Sequence, residues 1–271
     1  MPGQGGSIVA MTSPCRTPWA RMHRKALART CGALWQSANP MRVQEQAAFV
    51  LHRRQYSESS LLLELLTVDY GRVGCIARGA RGVRNQASAL LQAFQELALD
   101  WSGGGDLVRL VRAEAPQPIL LLQGASALAG LYCNELLVRL LPRRDPHPHL
   151  YLRYRQTLQA LADGGSLAWT LRRFERDLLR DLGYAADYAS DASGAELDAQ
   201  GRYRFEPEHG FVRVADSAPG YAGAALRALA GDRLPDATQL RELRRMLREL
   251  ITLQLRGAPL RSWSLLTDLS R

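Results

Sequence analysis

The feature that most constrains this chain is a change of hydrophobic period near Pro116 and Pro118. Before it, from Val43 to about Ala113, apolar residues fall in short runs of the kind that make half-buried strands. "AAFVLHRRQY" and "SSLLLELLTVD" are separated by a polar turn around Ser57 and Glu58, and "GRVGCIARG" follows a tight turn at Asp69, Tyr70 and Gly71. "QELALDWS" and "DLVRLVRAE" flank Gly103, Gly104 and Gly105, which read as a hairpin loop. Five short strands, with at most one helical turn ("ASALLQAF") between the third and fourth, fit a partly open barrel of OB type. A small SH3-like barrel fits the same pattern almost as well.

After the prolines the spacing becomes helical. Leu128, Leu131, Tyr132, Glu135, Leu136 and Leu140 follow it, as do "LYLRYRQTLQALADG" and "LAWTLRRFERDLLRDLG". Gly164 and Gly165 separate the last two helices, and Gly183 closes the second. Residues 187–213 are acidic and helix-poor and end in a hairpin-like "GRYRFEPEHGFVRV". Two more helices follow, "GAALRALAG" and "DATQLRELRRMLRELITLQLR", then a short one over 260–269. The expected architecture is α+β and multidomain. A five-stranded OB-type barrel over 41–115 precedes an α-helical domain over 116–271, which carries a small acidic insert at about 187–213. Residues 1–40 are Gly-, Pro- and Ser-rich and lack an apolar export core. Their composition resembles a transit peptide, but regular patterning begins only after Met41. The simpler expectation is a disordered extension from a mis-called start, with translation beginning at Met41.

Net charge is +9, unevenly placed: +5 falls in residues 1–40, which hold no acid, and residues 183–215 carry −3. A basic pI therefore argues only weakly for nucleic acid. All but one of the 35 basic residues are arginine, the exception being Lys25. Arg-favouring codons of a GC-rich genome explain that bias, and guanidinium forks also suit phosphate. Cys15, Cys31, Cys75 and Cys133 form no C-x-x-C pair, so neither a cysteine zinc site nor a secreted disulfide framework is indicated, and a reducing cytoplasm is expected. His147 and His149 have no third ligand nearby, and no apolar run is long enough to span a membrane. Neither a metal nor a cofactor is expected. No Ser/His/Asp, Cys/His or paired-carboxylate arrangement stands out, which argues against an enzyme.

"GRVGCIARGARGVRN", residues 71–85, holds four arginines and no acid. Gly74 and Gly79 have the glycine spacing of a Walker A loop, but Ala80 and Arg81 follow where Lys and Ser/Thr are required, so nucleotide hydrolysis is excluded there. Arg78, Arg81 and Arg84 recur every third residue, while Gly79 and Gly82 oppose a helix. Such a loop can wrap a phosphate backbone without reading bases, and Arg53, Arg54 and Tyr56 could add cations and a stacking ring. Composition alone leaves a solvated turn equally open. In "RRMLREL", Arg241, Arg244, Arg245 and Arg248 read as the solvated side of an amphipathic helix.

Four strings resemble the RecO family of bacterial recombination mediators: "FVLHRRQYSESSLLLELLTVDYGRVGCIARGARGVRN", "GLYCNELLVRLLPRRDPHPHLY", "LRRFERDLLRDLGY" and "LRGAPLRSWSLL". Together they span roughly residues 43–269. The resemblance implies a DNA-binding barrel that anneals complementary strands without ATP. With RecR, and in some relatives RecF, it would help load RecA onto DNA coated by single-strand-binding protein. It implies DNA contacts at Arg53, Arg54, Tyr56, Arg72, Arg78, Arg81 and Arg84, with Arg109 and Arg112 added from the fifth strand. It places the acidic tail of single-strand-binding protein near Leu136, Arg139, Leu140, Arg143, Arg144 and Tyr151. The chain is expected to be a monomer on its own, acting on single- and double-stranded DNA. Many relatives carry a four-cysteine zinc module, but the insert here has no cysteine and resembles the metal-free branch. Trp263 stands where a basic residue often follows the terminal Arg-Ser. The alternative reading is a non-enzymatic adaptor whose barrel mainly contacts proteins.

Overall fold

The computed structural model describes residues 42–80, 86–256 and 258–264. The segment 1–40, Met41, Arg81 and Arg84 lie outside them, as does the end of the expected 260–269 helix. Five strands form a closed barrel: β1 (Arg42–Gln55), β2 (Leu61–Thr67), β3 (Gly71–Ala77), β4 (Glu96–Ser102) and β5 (Leu107–Glu114), with a five-residue helix α1 (Gln86–Leu90) between β3 and β4. Around the barrel the order is β1-β2-β3-β5-β4. β5 inserts between β3 and β4, parallel to β3 and antiparallel to β4, so the barrel is no simple meander and the OB-type alternative is the one realised.

β1 is long because it closes the barrel. Its first half pairs with β4 and its second half with β2. Register shifts between Val43 and Gln46 and between Val50 and His52 let the strand bend between these partners. Inward positions such as Leu63, Leu65, Val73, Leu97, Leu99 and Trp101 are buried, and Leu91 just beyond α1 joins the same core.

The helices are α2 (Gly124–Leu140), α3 (Pro148–Ala162), α4 (Leu167–Asp181), α5 (Gly223–Ala230) and α6 (Ala237–Gln254). Capping follows the sequence: Ser166 accepts from the Trp169 N–H, and Asp236 with Gln239 makes a capping box on α6. Between α4 and α5 lie β6 (Arg202–Glu206), β7 (Gly210–Val214) and β8 (Tyr221–Ala222), in the order β7-β6-β8. The expected hairpin is present. Its third strand is only two residues long, too short to leave a period in the sequence.

Barrel and helices belong to one compact unit. Phe49, Leu51 and Leu66 turn outward from the barrel and share a core with Tyr132, Leu136, Leu137, Tyr151 and Tyr154. Phe49 meets the Tyr151 and Tyr154 rings at centroid distances of 5.3 and 5.1 Å. One half of the barrel's outer face is therefore covered by helices.

Candidate nucleic-acid interface

In a strand, successive side chains point to opposite faces. β1 after its second irregularity buries neither Arg53 nor Arg54, but the pleat separates them. Arg53 aligns with the inward Leu63, and its Nη1 lies 3.4 Å from the Ser88 and Leu91 carbonyls beside α1. Arg54 aligns with Leu62, Leu62 with Ile76, and Ile76 with Arg109. The flanking residues Leu61, Leu63, Cys75, Ala77 and Val108 are buried, whereas Leu62 and Ile76 are partly exposed and both arginines are exposed. Register thus assembles an outward row of four side chains from four strands, with a guanidinium at each end and two aliphatic groups between. At a strand spacing of about 4.8 Å it is about 14 Å wide. Neither the Arg54 nor the Arg109 guanidinium has an ion-pair or hydrogen-bond partner among the described residues.

Tyr56, 58 % exposed, follows Arg54 in the turn closed by the Tyr56 N–H to the Ser60 carbonyl at 3.0 Å. Arg78 is exposed immediately after β3, where Gly79 turns the chain at φ +67°. The row, Tyr56 and Arg78 therefore share one end of the barrel. Arg112 lies elsewhere on β5, exposed and ion-paired with Glu114, which pushes its pKa further up. Cys75 is enclosed in the barrel, and burial pushes its thiol up to about 12 against a backbone hydrogen bond from Leu110, so it is an inert packing group.

Arg72 requires a correction. Its outward position is the covered half of the face. Nη1 pairs with Glu64 at 2.8 Å, Nε donates to the Leu141 carbonyl at 2.9 Å, and its own carbonyl accepts from the Arg144 N–H at 3.0 Å. Arg72 fastens the barrel to the α2–α3 connection instead of facing solvent.

The cluster expected to dock an acidic tail also separates. Leu136 is 0 % exposed inside the shared core. Tyr151 is buried and donates its hydroxyl to Glu96 at 2.8 Å; burial, then the Glu96 charge, pushes its pKa up. Arg143 pairs with Glu64 and donates to the Asp106 carbonyl at 3.1 Å, while Arg144 reaches the Gly105 carbonyl. Both hold the β4–β5 hairpin loop. Arg139, on the exposed side of α2, donates to the Pro259 carbonyl at 3.2 Å, and Leu140 is half-buried. These six residues are seam and core more than a single pocket. The helical spacing was right, but it does not tell which side of α2 meets the barrel.

Other singled-out residues are structural. His147 occupies the N-cap position of α3 without a side-chain capping bond, and its Nδ1 bonds Asp181. Arg245 and Arg248 lie over the Tyr221 and Trp263 rings at 5.0 and 4.3 Å, so the arginine side of α6 is partly occupied. Among the described residues no group of three His, Cys, Asp or Glu could hold a metal, and no helix is long and apolar enough to cross a membrane. Leu62 and Ile76 escaped the sequence reading as site residues, although their outward parity with Arg54 was readable once the strands were aligned.

Two family models match the chain: Recombination protein O N terminal over residues 41–119 and Recombination protein O C terminal over residues 122–264. DNA repair protein RecO of Xanthomonas euvesicatoria pv. vesicatoria is 44 % identical over 238 residues, covering 85 % of this chain and 99 % of that protein. The Xanthomonas campestris pv. campestris protein of the same name is 42 % identical over the same shares. That of Stenotrophomonas maltophilia is 40 % identical over 236 residues, again 85 % and 99 %.

Proposed function

The chain belongs to the RecO family and so serves DNA repair and recombination, and from that premise we propose that it binds DNA on the open half of its barrel and anneals complementary strands without ATP. The observation that carries this reading is the row Arg54, Leu62, Ile76, Arg109, whose terminal guanidiniums have no partner among the described residues. Its width of about 14 Å matches about four nucleotides at about 3.4 Å each along one strand. Arginine at the ends holds phosphates; the aliphatic middle and the Tyr56 ring offer apolar surface to unstacked bases. With the guanidiniums committed to phosphates, the contact needs no base edge, which suits a protein that must act on any sequence. Arg53 and Arg78 extend the cationic rim, and Arg81 and Arg84, outside the described residues, continue it in sequence.

Annealing follows from such a surface. Two complementary strands repel through their phosphates, and a polycationic face that neutralises both lowers that repulsion while leaving bases free to pair. The proposal includes the pathway partners of the family: RecR, in some settings RecF, and single-strand-binding protein, whose displacement lets RecA load. Of the six tail-docking positions, Arg139 and Leu140 alone keep accessible surface without holding the barrel, so the tail is assigned to that side of α2.

The test uses labelled complementary oligonucleotides. Annealing should be faster with the protein and without ATP, and Arg54→Ala/Arg109→Ala should lose most of the acceleration. Rates equal to the protein-free control, or an undiminished rate in the double variant, would refute the assignment. Repeating the assay on DNA coated with single-strand-binding protein, with and without its acidic tail, separates annealing from partner docking.

A further inference from the structure

The barrel has a second open region, centred on β4, the one barrel strand that contributes nothing to the cationic row. A cavity of about 400 Å³ opens there between β1, β4, β5 and the start of the connection to α2. Its floor is made by Ala47 and Ala98, which are register partners and carry no side chain beyond a methyl. Ala98 also aligns with Glu114 on its other side. The groove therefore exists because the middle of the sheet face lacks side-chain volume.

Its walls are carboxylates. Glu96 and Asp100 occupy the two ends on β4, Glu114 one side, and Glu45 the corner beside Asp100. Asp100 is 6 % exposed. Its Oδ1 accepts the Glu45 N–H at 2.8 Å, and the carboxylate has no other hydrogen-bond partner among the described residues, although it lines the cavity. A nearly buried carboxylate with one unpartnered oxygen facing a groove is a site that a donor cation would satisfy. Arg112 and Arg155 also line the groove, paired with Glu114 and, at 3.4 Å, with Glu96. Both arginines are at least half exposed. Exposed pairs of this kind contribute little, so an incoming guanidinium or ammonium can replace them.

We propose that this groove docks an extended, arginine-bearing segment of a partner protein. Charge selects the class of occupant: four carboxylates against two arginines repel DNA and acidic peptides, the ligands suited to the rest of this +9 chain. Shape selects the conformation, because a floor of two alanines admits a single extended strand and its side chains. Glu96 and Asp100 are four residues apart on one strand face, about 13 Å. An extended ligand with arginines four residues apart matches both ends at once.

The probe is a fluorescein-labelled peptide, Ala-Arg-Ala-Ala-Ala-Arg-Ala, titrated with the full chain at low salt and read by anisotropy. Saturable binding is expected, and Ala98→Arg, which fills the groove with its own cation, should weaken it at least tenfold. Glu114→Gln, altering a side chain that is more than half exposed and poses no folding risk, should weaken it about threefold. Binding within twofold of the unmodified protein in both variants would overturn the proposal, as would absence of saturable binding. Displacement of the peptide by a saturating oligonucleotide would also overturn it, because the row and the groove occupy separate stretches of β1 and β5.

Discussion

The outer face of the barrel carries arginine in both of its halves, but the surroundings differ. Toward the helices, Arg72 is held by Glu64 and the Leu141 carbonyl, and Arg143 by Glu64 and the Asp106 carbonyl. At the far end, Arg54 and Arg109 bracket Leu62 and Ile76 and meet no protein partner among the described residues. One residue type thus serves cohesion in one half and remains available to a ligand in the other. The difference is set by what stands opposite each guanidinium. Where an acid and carbonyls lie within reach, arginine becomes part of the seam; where two aliphatic groups lie there, it stays solvated.

The largest expected effect comes from attacking the seam at its closest approach. Gly71 begins β3 at φ +62°, and a Cβ added there would meet the Asp145 carbonyl oxygen at 1.9 Å. Gly71→Ala combines a left-handed alanine with a backbone collision, which no side-chain rotation relieves. It should destabilise the fold by at least about 3 kcal/mol. Thermal unfolding would show this as a large fall in Tm. A Tm within two or three degrees of the unmodified protein, a shift below about 1 kcal/mol, would mean that barrel and helices are not joined tightly at this turn.

A matched pair of substitutions sharpens the comparison itself. Arg54→Ala/Arg109→Ala should leave stability within about 0.5 kcal/mol, because exposed surface positions seldom matter more. It should weaken single-strand binding and lower the salt slope by up to about 1.4, from about 0.7 per lost phosphate contact. Arg72→Ala should do the reverse. It leaves Glu64 and the Leu141 carbonyl short of a donor, for a loss of about 1–3 kcal/mol, with the salt slope unchanged. Binding titrations at several salt concentrations, alongside denaturant unfolding, read both quantities. If Arg72→Ala lowers the salt slope as much as the pair does, the division of the face is wrong.

This division marks how far the sequence could be read. The five strands, the turn glycines and the helical domain were legible because alternation and helical spacing are local properties. Arg53 and Arg54, adjacent in sequence and alike in composition, could not be told apart until pairing with Leu63 and Leu62 set their faces. Arg72 looked equivalent to Arg78, yet the partner that occupies it, Glu64, comes from another strand, and the Leu141 carbonyl lies 69 positions away. Leu136 and Tyr151 are assigned to a docking surface by the family resemblance, and helical period could not correct it, because it identifies an apolar side without saying what covers it. The acidic groove was invisible for the same reason: Glu45, Glu96, Asp100 and Glu114 are scattered along the chain and converge only through strand register.

The smallest effect tests whether cohesion by charge extends beyond the seam. Glu135 on α2 accepts the Arg261 and Ser262 N–H groups, both at 2.9 Å, and the Ser262 hydroxyl at 2.6 Å, so a carboxylate fixes residues 261–262 to the helical domain. Partial burial alone would raise its pKa, but the bonds from Ser262 and Arg261 and the nearby Arg139 charge outweigh it, and the carboxyl titrates below the ordinary glutamate value of 4.5. A folded-state pKa below the unfolded one means that the unfolded chain binds the proton more readily. The stabilisation is therefore complete above pH 4.5 and disappears as the pH falls through the folded-state value. Glu135→Gln should then match the unmodified protein most closely at the lowest pH and fall behind it above pH 4.5. The gap is expected to be modest, because the carboxyl is largely solvated and water screens the Arg139 charge. Unfolding curves collected across that window measure it. A gap that widened as the pH fell would show that the neutral side chain, not the carboxylate, holds residues 261–262, and that charge-based cohesion ends at the barrel seam.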